Sequence, residues 1–308
     1  MAEVNPGFSQ LAFGVVWWHQ TGFRGGSTMR LKDVRRSRNI EDRRGQRRVG
    51  GGGARIGGVG LLLVLAIGYF AGIDVTPLLQ DQDPRGQITQ AAPTPEEERA
   101  AEFAGRVLAT TEQVWSQIMQ EQAGRTYQPP VLVLYSGVTQ SPCGGASGAT
   151  GPFYCPADRK AYLDTDFFAT LSRQLGAKGD FAAAYVIAHE VAHHIQNEMG
   201  ILGQVHRARQ AASTAEGNAL TVRLELQADC LSGVWARAVD GLLEPGDLEE
   251  ALNAARMIGD DRLQARAGRV PQPHTFTHGT SAQRARWFAI GYDSGQIGRC
   301  DTFAARAL

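Results

Sequence analysis

The sequence predicts an α+β fold, mostly helical with a small sheet, preceded by one transmembrane helix. Three observations predict this class. An uncharged run of 18 residues follows a basic segment, two short β-rich runs lie between residues 131 and 163, and several longer stretches place apolar residues at helical spacing. Hydrophobic residues make up 43% of the 308-residue chain and charged residues 20%, so most of the chain can bury a core.

The basic segment opens the chain. Residues 1–56 contain eleven Lys or Arg against four acids, although the whole chain has no net charge. We predict that residues 1–55 form a basic, disordered, cytoplasmic arm, and Met29 is an alternative start that would leave out residues 1–28. A nucleic-acid-binding tail would explain the same charges, but so does a topology signal at a membrane surface. No nucleic acid partner is therefore expected.

The uncharged run, residues 56–73, is predicted to cross a membrane. An 18-residue helix spans roughly 27 Å, which is just enough for a bilayer core. A buried core helix or a signal peptide is the alternative, but the run starts later than a signal peptide does. Lysines and arginines are frequent before the run, whereas residues 74–83 contain no lysine or arginine. We therefore expect a single-pass cell-membrane protein with a cytoplasmic N-terminus and an extracytoplasmic domain.

The rest of the chain is predicted to be a linker, residues 74–95, and one domain, residues 96–308. The linker is polar and contains proline. The domain begins with a helix that has acids in its first turn and continues with two strands, VLVLY and KAYL. Three further helices are predicted over residues 181–197, 215–239 and 247–267, and a last one starts near Thr280 with a capping box.

Four cysteines follow the predicted span, where oxidation is possible. Cys143 and Cys155 bracket a Gly-rich loop and are our preferred pair, which leaves Cys230 with Cys300. Four cysteines allow three pairings, so this one is a preference. Zinc binding by the cysteines is the competing interpretation, but no CxxC pair is present, and disulfides are favoured.

Residues 188–194, AHEVAHH, carry the strongest chemical signal. His189 and His193 are four residues apart, so on a helix both project from one face and can bind one Zn²⁺. Glu190 lies beside the first histidine, where its carboxylate can take a proton from a metal-activated water. The surrounding residues are apolar and include no Pro or Gly, as a buried ligand helix requires. Two surface histidines on an ordinary helix are the alternative.

Zinc needs a third protein ligand. Glu225 and Asp229 in TVRLELQADC are again four apart on a predicted helix, and they lie among apolar residues where solvated acids are unusual. We predict Glu225 as the third ligand. We predict that Asp229 accepts the second ring N–H of a zinc-binding histidine and fixes its tautomer.

These motifs together resemble the glutamate-ligand zincins, and more closely the bacterial neutral zinc metallopeptidase family. The resemblance runs from about Met29 to Asp301 and rests on NIEDRRG, CGGASGATGPFYCPAD, HEVAHHIQ, RLELQADC and FTHGTSAQRARWF. It implies a zincin-like fold, a zinc cofactor and an extracytoplasmic domain. It implies no particular substrate.

A zinc peptidase also needs a donor for the oxyanion of its transition state. His278 is our choice because it precedes the last predicted helix in a Gly- and Thr-rich segment. His274, Tyr154 and Tyr185 are the other candidates, and a packing or capping role for His278 explains the sequence equally well. His194 points about 100° away from its neighbour on an ideal helix, so it is not expected to bind the metal.

The sequence thus predicts a metalloendopeptidase that hydrolyses peptide bonds with Zn²⁺, with Glu190 as general base. The expected partners are a peptide or protein substrate and a membrane contacted through one helix. A membrane-anchored zinc-binding scaffold is one alternative, although a structural zinc site has no use for Glu190. A hydrolase of cell-wall peptides or another cell-envelope amide is the other alternative, and the sequence does not separate it from a peptidase.

Overall fold

The computed structural model describes residues 29–48, 88–90, 92–147, 151–168, 171 and 179–308. Within these ranges the chain forms an α+β structure in which helices outnumber strands and a small sheet lies to one side. The helical and strand parts of the predicted fold class are therefore confirmed.

Four short strands form the main sheet. Strands β1 (Ile40–Asp42), β4 (Val131–Tyr135) and β8 (Lys160–Asp164) run parallel, and β7 (Phe153–Cys155) pairs antiparallel with β8, which gives the order β1-β4-β8-β7. The central strands β4 and β8 are buried along almost their whole length, as expected for strands paired on both sides. Two smaller ladders join β2 (Gln46–Arg48) to β3 (Ile88–Gln90) and β5 (Val138–Ser141) to β6 (Gly144–Ser147).

Seven α-helices make up most of the described domain: α1 (Pro95–Ala123), α2 (Asp180–Glu198), α3 (Ile201–Ala211), α4 (Thr214–Ala238), α5 (Asp247–Met257), α6 (Asp260–Arg266) and α7 (Ser281–Ser294). Capping boxes start α1, α4 and α7 at Thr94, Ser213 and Thr280. Helix α2 is central, because it packs against α1, α4 and α5 and also against β7 and β8.

Helices α4 and α7 approach each other backbone to backbone. A Cβ on Gly233 of α4 would lie 2.0 Å from the carbonyl oxygen of Phe288, and one on Gly291 of α7 would lie 1.8 Å from that of Cys230. No side chain larger than hydrogen fits at either position without separating the helices. This contact fixes the distance between the two helices that support α2.

The predicted helix over residues 247–267 is wrong in its continuity. The structure divides it into α5 and α6 at Gly259, whose backbone is extended. A Cβ at Gly259 would lie 2.4 Å from the backbone nitrogen of Ser281, so the helix is interrupted at the point where the start of α7 approaches it. The sequence pattern did not indicate that Ser281 would lie against Gly259.

The predicted disordered arm is also wrong for residues 29–48. Strand β1 lies in the main sheet, and Met29 and Leu31 are buried in the core. Arg44 is 3% exposed, donates to Asp42 and donates to the backbone carbonyl of Glu97 at 2.7 Å. The basic residues that indicated a solvated arm therefore find carboxylates and carbonyls on the sheet and on α1.

The transmembrane part of the predicted fold class is not supported and is corrected. None of the helices in the described ranges is both long and apolar enough to cross a membrane, and the predicted span at 56–73 lies outside those ranges. The predicted single-pass topology also places residues before and after the span on opposite faces of a bilayer. Residues 29–48 instead pack against the domain that follows.

Both predicted disulfides are confirmed. Cys143 pairs with Cys155 and Cys230 pairs with Cys300. The first joins β7 to the turn between β5 and β6, and the second joins α4 to the short 3-10 helix Ile297–Cys300. The second bond therefore ties the end of the chain to the centre of the domain.

Replacing Arg44 tests the packing of residues 29–48. We expect Arg44→Ala to lower the free energy of unfolding by about 2 kcal/mol, because a buried carbonyl loses its donor and an ion pair is lost. Urea denaturation measures the change. Arg36→Ala is the control in the same segment, since its ion pair with Glu102 is long, at 3.8 Å, and partly exposed, and it should change stability by less than about 0.5 kcal/mol. Equal small effects from both would show that the segment is not packed.

Candidate metal centre

The candidate metal centre begins on helix α2, which carries His189, Glu190 and His193 on its buried side. Alanines at 182–184 and 188 let the neighbouring elements approach closely, and the helix has no internal glycine or proline. His189 is 6% exposed and Glu190 is 9% exposed. Polar side chains this deeply buried need specific partners.

Helix α4 supplies the third group, Glu225. Its carboxylate lies 3.1 Å from His189 Nε2 and 3.5 Å from His193 Nε2. Ligands held at about 2.0–2.1 Å from a tetrahedral zinc ion are separated by roughly 3.3 Å, so this spacing suits zinc. One nitrogen from each histidine and one carboxylate oxygen lie within 4.8 Å of one another. The structure therefore brings together the three predicted ligands.

Each histidine presents Nε2 to this point because its Nδ1 faces another group. Asp229 Oδ1 lies 3.0 Å from His189 Nδ1, although it is off the line of the ring N–H, so the contact is electrostatic and is not an aligned hydrogen bond. Gln196 Oε1 lies 2.9 Å from His193 Nδ1. Asp229 thus lies beside one of the predicted ligand histidines, as expected, and Gln196 forms a hydrogen bond with the second.

Asp229 is held from the other side by a buried ion pair. Arg284 of α7 donates two hydrogen bonds of 2.9 Å to its two oxygens, and the Tyr185 hydroxyl donates another at 2.5 Å. Asp229 is fully buried and Arg284 is 1% exposed. A bidentate pair of this kind fixes the orientation of the carboxylate that faces His189.

The pKa values reflect the concentration of acids around the histidines. Burial alone would lower the pKa of His189, but the carboxylates of Asp229 and Glu225 outweigh it and raise the value to about 10. Burial opposes ionisation of Glu225, yet the charge of His193 and the hydrogen bond from His189 lower its pKa below the usual range. The centre thus favours positive charge between its acids, a preference that a divalent cation satisfies.

Glu190 differs from the other acids of the centre. Burial raises its pKa, while the charges of His193 and His189 act in the opposite direction. It shares a small cavity with Pro152 and Ala161, next to the sheet. Among the residues that the structure describes, no side chain forms a hydrogen bond or ion pair with its carboxylate. Glu190 is therefore placed beside the ligand atoms without belonging to them.

His278 lies on the loop before α7, close enough to Glu225 for the charge of each group to shift the pKa of the other. Asp260 holds this loop: one of its oxygens accepts the backbone N–H groups of Thr277, His278 and Gly279, and the other lies 3.2 Å from His278 Nδ1. Burial lowers the pKa of His278, but Asp260 and Glu225 raise it above the ordinary value.

The other predicted oxyanion donors are occupied or distant. Tyr185 is buried and donates to Asp229, and the Tyr154 hydroxyl lies 2.9 Å from His194 Nδ1. His274 is exposed in the short helix Pro273–Thr275. His194 contacts Tyr154 and the backbone carbonyl of Gln128, away from the three ligand groups, as predicted.

Sequence reasoning missed Arg284, Asp260 and Gln196. Arg284 had one available signal, because it precedes Ala285, Trp287 and Phe288 in a helix whose face is otherwise apolar, where an arginine needs an acid partner. Asp260 and Gln196 carried no comparable signal, since their partners lie far away in sequence or are backbone groups.

Two histidines and a glutamate from adjacent helices, with a second glutamate beside them, define the class as a metallopeptidase-type centre of the HExxH kind. The family model described as "Putative neutral zinc metallopeptidase" matches residues 29–303, and the chain belongs to this family. This agrees with the resemblance found in the motifs.

Two relatives are similar over much of their length. "Uncharacterized protein YpfJ" of Escherichia coli K12 is 49% identical over 285 residues, which cover 89% of this chain and 99% of the relative. "Uncharacterized protein Mb2605" of Mycobacterium bovis is 44% identical over 219 residues, which cover 66% of this chain and 71% of the relative. No solved structure matches the chain. The names of these relatives state no activity.

The buried pair of Asp229 and Arg284 can be tested by a double-mutant cycle. We expect Asp229→Asn and Arg284→Met each to lower the free energy of unfolding by about 3 kcal/mol, because each leaves a buried charge without its partner. The double variant should lose at least about 2 kcal/mol less than the sum. Urea denaturation gives the three values.

The exposed pair of Glu96 and Arg99 on α1 is the matched control for this cycle. Glu96→Gln and Arg99→Met should be additive within about 0.5 kcal/mol. Additivity at Asp229 and Arg284 as well would contradict the coupling seen in the structure.

Proposed function

We propose that the protein is a zinc-dependent peptidase that hydrolyses peptide bonds with water, with His189, His193 and Glu225 holding the metal. The single observation that carries this proposal is the arrangement of Glu190. It lies next to three converged ligand groups and is not itself one of them. A structural zinc site is normally closed by four protein ligands and needs no extra buried carboxylate.

When bound, zinc acidifies water and polarises a carbonyl group. The chain's own residues carry the proton. Glu190 accepts it from water as the water oxygen bonds to the carbonyl carbon, and then delivers it to the leaving nitrogen as the C–N bond breaks. The raised pKa of Glu190 suits a group that must both accept and donate a proton near neutral pH.

His278 is proposed to stabilise the oxyanion that forms on the substrate carbonyl. Its loop is held by Asp260, and Nδ1 faces the same acid, so Nε2 is the nitrogen left for a substrate. Its raised pKa favours the protonated ring, which can donate to a negatively charged oxygen.

An extended peptide is proposed to lie along β7. The two strands predicted between residues 131 and 163 are β4 and β8, and both are paired on two sides, so neither offers a free edge. Among the described strands β7 pairs only with β8, and it contacts α2 where Tyr154 meets His194. Its outer edge can therefore pair with a substrate backbone.

A hydrolase of another amide, such as a cell-wall peptide, remains the second candidate, since the same ligands and the same base serve any amide carbonyl. The extracytoplasmic location also stays a prediction. The two disulfides support it, because paired cysteines are typical of oxidising compartments.

The Glu190→Gln variant tests the proposed general base. We expect it to retain about one zinc per chain and to cleave unfolded casein at least about a hundredfold more slowly than wild type, because the proton acceptor is lost while the ligands remain. Metal analysis and cleavage of labelled casein measure the two properties. Glu198→Gln is the matched control on the same helix, where the side chain pairs with Arg159, and its activity should be unchanged. Normal cleavage by Glu190→Gln would reject the role.

The His278→Ala variant tests the oxyanion donor. We expect kcat to fall by about a hundredfold with little change in KM and no loss of zinc, since the donor acts mainly in the transition state. His274→Ala removes an exposed histidine from the same segment and should behave like wild type. A loss of zinc, or equal activity in both variants, would assign His278 to packing.

A further inference from the structure

A second cluster of acids lies at the start of helix α2, away from the metal centre. Oxygen atoms of Asp180, Asp247 and Glu250 lie within 4.8 Å of one another. Asp247 is fully buried, and the Oδ1 atoms of Asp180 and Asp247 are buried with no hydrogen-bond partner. In the described ranges no lysine or arginine pairs with any of the three. Three close carboxylates without a cation repel one another, so a positive charge placed among them would stabilise the folded chain.

Backbone N–H groups of Met29 and Glu244 each donate to the cluster at 2.8 Å, the second to Asp247 Oδ2. The Met29 N–H donates to Asp180 Oδ2, and the Met29 side chain is 4% exposed within the core. The next residue is fixed as well, because the Arg30 N–H donates to the carbonyl oxygen of Leu242 at 2.8 Å. Met29 is thus held on both sides of its Cα with its nitrogen directed at an acid.

An internal peptide nitrogen offers one donor and no charge. A free α-amino terminus at the same position offers three donors and one positive charge, which is what the unpartnered oxygens of Asp180 and Asp247 lack. Methionine is also the residue with which translation begins, and the family model starts its match at residue 29. A divalent cation is the other species that three carboxylates bind. The Met29 nitrogen already donates to one of the Asp180 oxygens. This contact favours an ammonium group over a divalent cation as the ligand of the cluster.

We propose that Asp180, Asp247 and Glu250 form a binding site for the free α-ammonium group of Met29, which is the first residue of the working protein. The site holds the first turn of α2. Asp180 is the first residue of that helix, and Glu250 accepts the Phe181 N–H at 3.2 Å, where no side chain of the N-cap residue Gly179 can do so. A Cβ on Gly179 would lie 1.9 Å from the Glu250 carboxylate, so glycine is needed for this approach.

The consequence concerns the helix that carries His189 and His193. The amine of Met29, a residue distant in sequence, neutralises the acids at the N-terminus of α2. That amine is charged only when the chain begins at Met29. Met29 is therefore a positioning residue for α2 that acts through its terminal amine.

The experiment compares the chain that starts at Met29 with the same chain preceded by Gly-Ser, each in wild-type and Asp180→Asn form. We expect the extension to lower the melting temperature of the wild-type chain by about 5 °C, because the ammonium becomes an uncharged amide nitrogen. In the Asp180→Asn background the extension should have little further effect. Glu244→Gln is the control, since Glu244 pairs with the exposed Arg30 next to the site, and the full effect of the extension should persist there.

A second measurement follows the amine itself. In the folded chain that starts at Met29, acetylation of the Met29 amine should be at least about tenfold slower than in the Asp180→Asn form, as mass spectrometry of the terminal peptide would show. The proposal is overturned if the extension leaves the melting temperature unchanged, or if the amine reacts equally fast in both forms. It is also overturned if the protein made in cells from the full 308-residue frame keeps residues before Met29. Stabilisation by millimolar calcium with no effect of the extension would assign the cluster to a divalent cation.

Discussion

The structure around the metal centre depends on one fully buried carboxylate, Asp229. An unpaired charge at this depth would be strongly unfavourable, so Asp229 requires the two hydrogen bonds from Arg284 and the one from Tyr185. These contacts join α2, α4 and α7 in a single polar network inside an apolar core. The same carboxylate faces His189, and the orientation of this predicted ligand is therefore set by the interaction that holds three helices together.

The positive charge at the start of the chain has a structural role that composition did not indicate. Glu112 of α1 shows how it is used: its carboxylate accepts from Arg35, Ser37 and Asn39. A cluster of arginines ahead of an uncharged run resembles a topology signal when each residue is read locally. In the fold Arg35 pairs with Glu112 and Arg44 pairs with Glu98, acids that come more than fifty residues later, and this segment becomes an edge of the main sheet. Local charge patterns do not contain that information.

The parts predicted well were those determined by interactions between residues close together in the sequence. The four-residue spacing of His189 and His193, and of Glu225 and Asp229, places each pair on one helix face, and the capping box at Thr280 starts a helix wherever it lies. The parts predicted poorly depend on contacts between residues that are far apart in the sequence. Gly259 ends a helix because Ser281 comes close, and Arg284 became interpretable only once Asp229 was seen beside it. Spacing along the chain thus predicted the side chains that converge at the centre, whereas the residues that hold them in place required the tertiary structure.

The glycine contact between α4 and α7 has a mechanical consequence. Gly233 and Gly291 lock the two backbones together, and the Cys230–Cys300 disulfide anchors the segment that follows α7 to α4. Sliding or separation of these helices would have to break close backbone packing as well as the buried pair of Asp229 and Arg284. Helices α4 and α7 therefore behave as one rigid unit next to the converged side chains of the metal centre. Any movement that makes room beside Glu190 must therefore come from the other side of its small cavity, which Pro152 and β8 border.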